Sequence, residues 1–167
     1  SENAGYGTPS RTSIFDYIGV PAHQRWMNNG AFNGGLSTPE ERELRDFYKR
    51  LLNFTITSGA LMGKYRETHY YNKQYTDSYD HRIFSFVRWS EKERLIIISN
   101  FDAEKSFDID FKLPPELIRE WGLNEGKYPL EEQLYGKHSP LLNVTEGEGR
   151  VKVLLKPLES HIYGIRK

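Results

Sequence analysis

The spacing of apolar residues changes character twice along the chain. Residues 1–37 show no period and are rich in Gly, Asn, Ser and Pro, with "NNGAFNGG" the most turn-like part. They read as an irregular arm. Next, "STPEERELRDFYKRLLNF" places Leu44, Phe47, Tyr48, Leu51 and Leu52 at i, i+3, i+4, i+7 and i+8, one face of a helix over 39–56. Thr38 is the expected N-cap, Pro39 sits at the first helical position, and Glu41, three residues after Thr38, can close a capping box. Glu40, Glu41 and Glu43 precede Lys49 and Arg50, the order that the helix dipole favours. That apolar face must dock on something, so Leu51 is expected in a core.

Beyond Gly59 the period becomes two. "KYRETHYY" reads as a first strand, and "RIFSFVRW" and "RLIIISNF" as a hairpin about "SEKE". Leu95, Ile96, Ile97 and Ile98 are apolar without alternation, which predicts a central strand covered on both faces. "SFDIDFKL" alternates, with Phe107, Ile109 and Phe111 inward and Asp108, Asp110 and Lys112 outward. "PPELIREWG" suggests one short helical turn. "KYPLEEQLY", "RVKVLLK" and "SHIYGIRK" complete the strands, and "EGEGR" reads as a hairpin turn. The expected fold is mainly β: an antiparallel sandwich of about seven or eight strands, preceded by the irregular arm and one long helix.

Composition narrows the functions. Lys plus Arg number 23 and Asp plus Glu 23, without the basic excess that phosphate binding needs, so no nucleic-acid partner is expected. The chain has no Cys, which excludes thiolate metal sites and cysteine nucleophiles. No apolar run approaches a membrane span, and "SENAGYGTPS" lacks the apolar core of a signal peptide. Either the protein is not exported or the chain is a piece of something longer. A period-free segment as long as the arm is uncommon inside a compact domain, which favours a piece.

Candidate chemistry is sparse. There is no G-x-S-x-G or H-E-x-x-H, and the histidines at 23, 69, 81, 138 and 161 are scattered. "TDSYDH" groups Asp77, Asp80 and His81 in a loop that could hold a hard cation such as calcium, against the plainer alternative of a polar hairpin tip. Asp108 and Asp110 share a strand face with no sign of a cleft. "NFT" at Asn53 and "NVT" at Asn143 match the glycosylation sequon, and neither is assigned a role.

The order of features carries a resemblance. The arm "RTSIFDYIGVP" with "RW", the helix "LRDFYKRLLN", the small-residue turn "SGALMG", the strand "RLIIISNFD" ending in Asn100-Phe101, and the closing "LKPLESHIYGI" with Pro157 and Tyr163 together look like the C-terminal end of an α-amylase superfamily enzyme, glycoside hydrolase family 13, over roughly residues 10–166. The resemblance implies a division at residues 1–58, the arm and final helix of a truncated (β/α)8 catalytic barrel, and 59–167, a C-terminal β-sandwich domain. It implies a retaining mechanism whose carboxylates lie upstream, leaving this chain inactive by itself. The arm would be the loop after the last barrel strand, with Arg11, Asp16, Tyr17 and Trp26 near bound glucan. The implied partners are the missing barrel of the same polypeptide and, through it, an α-glucan oligosaccharide; the arm and helix also offer a surface for dimerisation. No cofactor is implied for the chain itself, calcium being an option for the parent, and a periplasmic or extracellular parent would fit. Competing expectations are a stand-alone carbohydrate-binding sandwich with an exposed aromatic row including Trp89 or Trp121, and an unrelated interaction protein.

Overall fold

A computed structural model describes residues 20–136 and 139–165. The chain divides into two compact units, one through Leu52 and one from Asn53 onward, the division falling inside a helix.

In the first unit, α1 (Pro21–Met27) opens on Pro21 and ends at Asn28 in the left-handed conformation. A short 3-10 turn follows, and Phe32 N–H and Gly34 N–H return to the carbonyls of Met27 and Trp26. The irregular arm therefore contains a helix that the sequence pattern does not announce. At seven residues α1 is too short to display a period, and Pro21 at its first position supplies a local start. Helix α2 (Pro39–Thr57) begins with the capping box: Thr38 N–H donates to Glu41 Oε2 at 2.9 Å, and Glu41 N–H donates to Thr38 Oγ1 at 3.3 Å. No residue of α2 is buried. Leu44, Tyr48 and Leu52 are each more than half exposed and Leu51 is only half-buried, so Leu51 is not core. Periodicity identifies which residues share a face, not what covers it.

The second unit is antiparallel throughout. Its strands are β1 (Lys64–Glu67), β2 (Ile83–Trp89), β3 (Arg94–Asn100), β4 (Phe107–Leu113), β5 (Gly126–Glu132), β6 (Leu141–Thr145), β7 (Glu148–Leu155) and β8 (Ser160–Ile165), with α3 (His69–Tyr75) after β1 and α4 (Pro115–Trp121) after β4. They form one curled sheet in the order β1-β2-β3-β8-β5-β6-β7-β4. The two halves meet in β5, which pairs through residues 126–129 with β6 and through residues 130–132 with β8. Their inner faces enclose a core that includes Ile83, Val87, Ile96, Ile98, Phe111 and Leu142, with Leu117, Ile118 and Trp121 of α4. On β3, Leu95 and Ile97 point to the other face and are buried as well, so this strand is covered on both sides. Glu146 and Gly147, both at positive φ, turn β6 into β7. At Gly63 a Cβ would stand 2.0 Å from the Trp89 carbonyl oxygen, a close backbone approach that only glycine permits.

The strand expected over "KYRETHYY" stops at Glu67, and residues 69–75 form α3 instead. Tyrosine suits either state, so an aromatic run does not decide between them. Tertiary hydrogen bonding decides here. Fully buried Asn72 donates through Nδ2 to Thr68 O (3.0 Å) and Lys112 O (2.9 Å), and its Oδ1 accepts from Lys112 N–H (2.8 Å). One turn later Thr76 Oγ1 donates to Asp110 O at 3.4 Å. One helix face thus pairs with β4, which the sheet leaves without a second neighbouring strand.

Candidate functional site

Of the four residues assigned to a glucan-facing loop, Arg11, Asp16 and Tyr17 lie outside the described residues. Trp26 sits on α1, about one third exposed, with its ring 6.0 Å from that of Phe32. Its neighbour Arg25 ties α1 to α2, donating through Nε to Glu41 Oε2 at 3.0 Å and pairing with the same carboxylate through Nη2. That hydrogen bonding, with the Thr38 N–H, holds the Glu41 carboxyl down at about 2.

The loop Thr76–His81 does not gather oxygens for a cation. Both Asp80 oxygens are taken by Arg82, at 2.9 Å and 3.1 Å, and His81 Nδ1 lies 3.1 Å from Oδ1. Among the described residues no three His, Asp or Glu side chains are placed to hold a metal. Asp108 is exposed, and Asp110 lies 3.8 Å from Arg150. Trp89 and Trp121 are buried, so neither belongs to an exposed aromatic row. A strip of rings does cross β1, β2 and α3: Tyr65, Phe86, Phe84 and His69 follow one another at 5.6, 5.9 and 5.8 Å. Their planes are tilted by 35–42°, which leaves no flat platform.

Two cavities of the second unit have a buried ionisable side chain, His161 or Arg94, in their walls. The first, about 410 Å³, is lined by Ser139, Lys152, Lys156, Glu159, His161 and Tyr163, among others. Behind it, the buried Glu132 carboxylate accepts N–H groups of Leu134 (3.0 Å), Tyr135 and Gly136 (3.1 Å) where the chain turns after β5. Burial pushes this carboxyl up, but the facing His161 and the backbone N–H groups of Tyr135, Leu134 and Ile162 outweigh it and hold the group below the usual glutamate range. His161 stands between two carboxylates, Nδ1 3.9 Å from Glu132 and Nε2 3.5 Å from Glu159, and stacks on Tyr163 at 5.3 Å. Burial, then the charges of Glu132 and Glu159, raises the Tyr163 phenol well above the tyrosine range, so it remains a neutral hydroxyl. Ionised and saturated with donors, Glu132 has no proton to give and little freedom to attack.

The second cavity, about 650 Å³, is lined by Gly63, Lys64, Trp89, Arg94, Glu91 and Glu120, with Ser90. Arg94 opens β3 on the same face as Ile96 and Ile98, which turns a guanidinium toward the interior. It donates through Nη2 to Trp121 O at 2.8 Å. Lys64 and Glu120 pair at 2.8 Å across the rim.

Sequence reasoning passed over Arg94, Glu132 and His161. Each is a polar residue two positions from an inward-facing apolar residue of its strand: Arg94 with Ile96, Glu132 with Leu130, His161 with Tyr163.

No family model matches the sequence. Among solved structures, the fold resembles an α-amylase from Anoxybacillus (TM-score 0.51, 20% identity, 82% of this chain and 25% of that one). It also resembles AmyP in complex with maltose (0.51, 14%, 81% and 22%) and the noncanonic maltogenic α-amylase AmyB from Thermotoga neapolitana (0.50, 15%, 81% and 29%). Structural neighbours are thus α-amylases and related enzymes, as the sequence resemblance implies. At these identities the likeness establishes the fold, and the chain spans only about a quarter of each amylase.

Proposed function

We propose that this chain is the C-terminal part of a family 13, α-amylase-type glycoside hydrolase acting on α-glucans such as starch or maltooligosaccharides. Within it, residues 59–167 form a non-catalytic β-sandwich module that supports the catalytic barrel, and residues 1–58 are the barrel's last loop and helix. One observation carries this reading: the same stretch that holds the amylase-like motifs in order adopts a fold found as about a quarter of α-amylase structures. In the parent, Arg11, Asp16, Tyr17 and Trp26 would face bound glucan.

The chemistry of the described residues agrees with a module that does not cleave. A retaining glycosidase needs two carboxyl groups about 5–5.5 Å apart, one protonated and one free to attack. Here Glu132 is held ionised by His161 and backbone donors, and Asp80 by Arg82. The test is a reducing-sugar assay of the chain alone on starch, pullulan and maltooligosaccharides. No turnover is expected. Turnover that survives repurification and disappears when an acidic residue of this chain is replaced would overturn the reading.

A further inference from the structure

The turn between α2 and β1 is anchored on both sides of one open side chain. Glu93 Oε2 accepts from Ser58 Oγ and from the Ala60 N–H, each at 2.8 Å. Arg88 Nη2 donates to the carbonyl oxygen of Leu61 and, at 3.3 Å, to that of Gly63. Ala60 is fully buried, and Gly63 lies too close to the Trp89 carbonyl to carry a Cβ. Met62 stands between the two clamped carbonyls, its own N–H donating to Gly59 O at 3.3 Å. Its side chain is 90% exposed, the most open of the large hydrophobic side chains among the described residues. With both neighbours fixed from β2 and the β2–β3 link, the thioether is presented to water rather than laid against the core.

A thioether carries no proton, so access rather than ionisation governs its reactivity. With hydrogen peroxide, a sulfur lone pair attacks one oxygen. The S–O bond forms as the O–O bond breaks, and the proton left on the transferred oxygen passes to the departing hydroxide to give water. Sulfur loses two electrons and peroxide gains them. The sulfoxide is polar and disrupts packing where a methionine fills a core. Met62 fills none. The chain supplies its own comparison, because its other methionine, Met27, is half-buried at the end of α1.

We propose that Met62 is a reversible oxidation site: hydroperoxides convert it to the sulfoxide while the fold stands, and methionine sulfoxide reductases restore it. The inference is independent of the parent's enzymatic identity, because it rests on the geometry of this turn alone.

The experiment treats the full chain with hydrogen peroxide at neutral pH and follows oxygen uptake at each methionine by peptide mass spectrometry. In the folded chain Met62 is expected to oxidise at least about threefold faster than Met27, and in denaturant the two rates are expected to converge. Chain oxidised at Met62 alone should keep its denaturant midpoint. Reductases acting on the two sulfoxide epimers should remove the added oxygen from the folded chain. Equal rates in the folded chain would overturn the proposal. So would a difference that persists in denaturant, since it would come from sequence neighbours and not from the turn. A lowered midpoint after oxidation of Met62, or a sulfoxide that the reductases reach only after unfolding, also counts against it. Met62→Leu, which removes the sulfur and keeps the apolar bulk, should abolish the faster oxygen uptake; faster uptake that survives in this variant would place the reactive group elsewhere.

Discussion

Asn72 does by one side chain what a neighbouring strand would do by its backbone. Its amide presents a donor and an acceptor in the geometry of a peptide group, and Lys112 receives both. Asn72→Ala would leave the Lys112 N–H and C=O without these partners; at about 1–3 kcal/mol for each buried group left unsatisfied, a loss of about 3 kcal/mol is expected in denaturant melts. Asn72→Asp keeps the acceptor, removes the donor, and sets a carboxylate against a carbonyl, so it should be no milder. The sequence offers no sign of this role, because "HYYN" fits a strand as well as a helix and the partner lies 40 residues away. Legibility at this scale depends on phase. Arg94, Glu132 and His161 could have been singled out as polar residues at inward positions; Asn72 could not, since its helix was itself invisible.

Among elements, β2, β4 and β7 could be read from the chain because period two and turn residues agree there, and β3 and β8 because short apolar-rich runs follow turn residues. β6 could not: "LLNVT" is five residues long, and the exposed Leu141 beside the buried Leu142 breaks the apolar–polar alternation. The turn after β5 depends on one ionised side chain, and so should respond to acid. Since the Glu132 carboxyl is held below its unfolded value, its contribution is fully present above the ordinary glutamate range, about pH 4.3, and is lost as pH falls through the lowered folded value. Glu132→Gln should therefore melt at lower denaturant than the parent chain at neutral pH, the two converging as pH drops below that range. A gap that stays constant down to strongly acid pH would mean that the carboxylate charge contributes nothing to the turn.

At the scale of the molecule, the mainly β, antiparallel character was legible and the path of the sheet was not. Sequence patterns assign faces to strands, but neighbours such as β3 and β8 are chosen by long-range packing. Their pairing gives β3 partners on both edges, with cover on both faces. Amide hydrogen exchange should be slowest in residues 95–98, and faster in β1, which has a partner on one edge only. Ile97→Ala is expected to cost about 2–5 kcal/mol for the same reason.

The order in which the strands are made differs from the order in which they pair. β3 is complete at Asn100, and its second neighbour β8 begins at Ser160, about 60 residues later. At roughly 5–20 residues per second of synthesis, a row of unpaired β3 backbone groups stays open for several seconds on the ribosome. β8 is also the neighbour through which the β2–β3 hairpin reaches β5. During biosynthesis the β2–β3 hairpin can form early, but its joining to the rest of the sheet waits for β8.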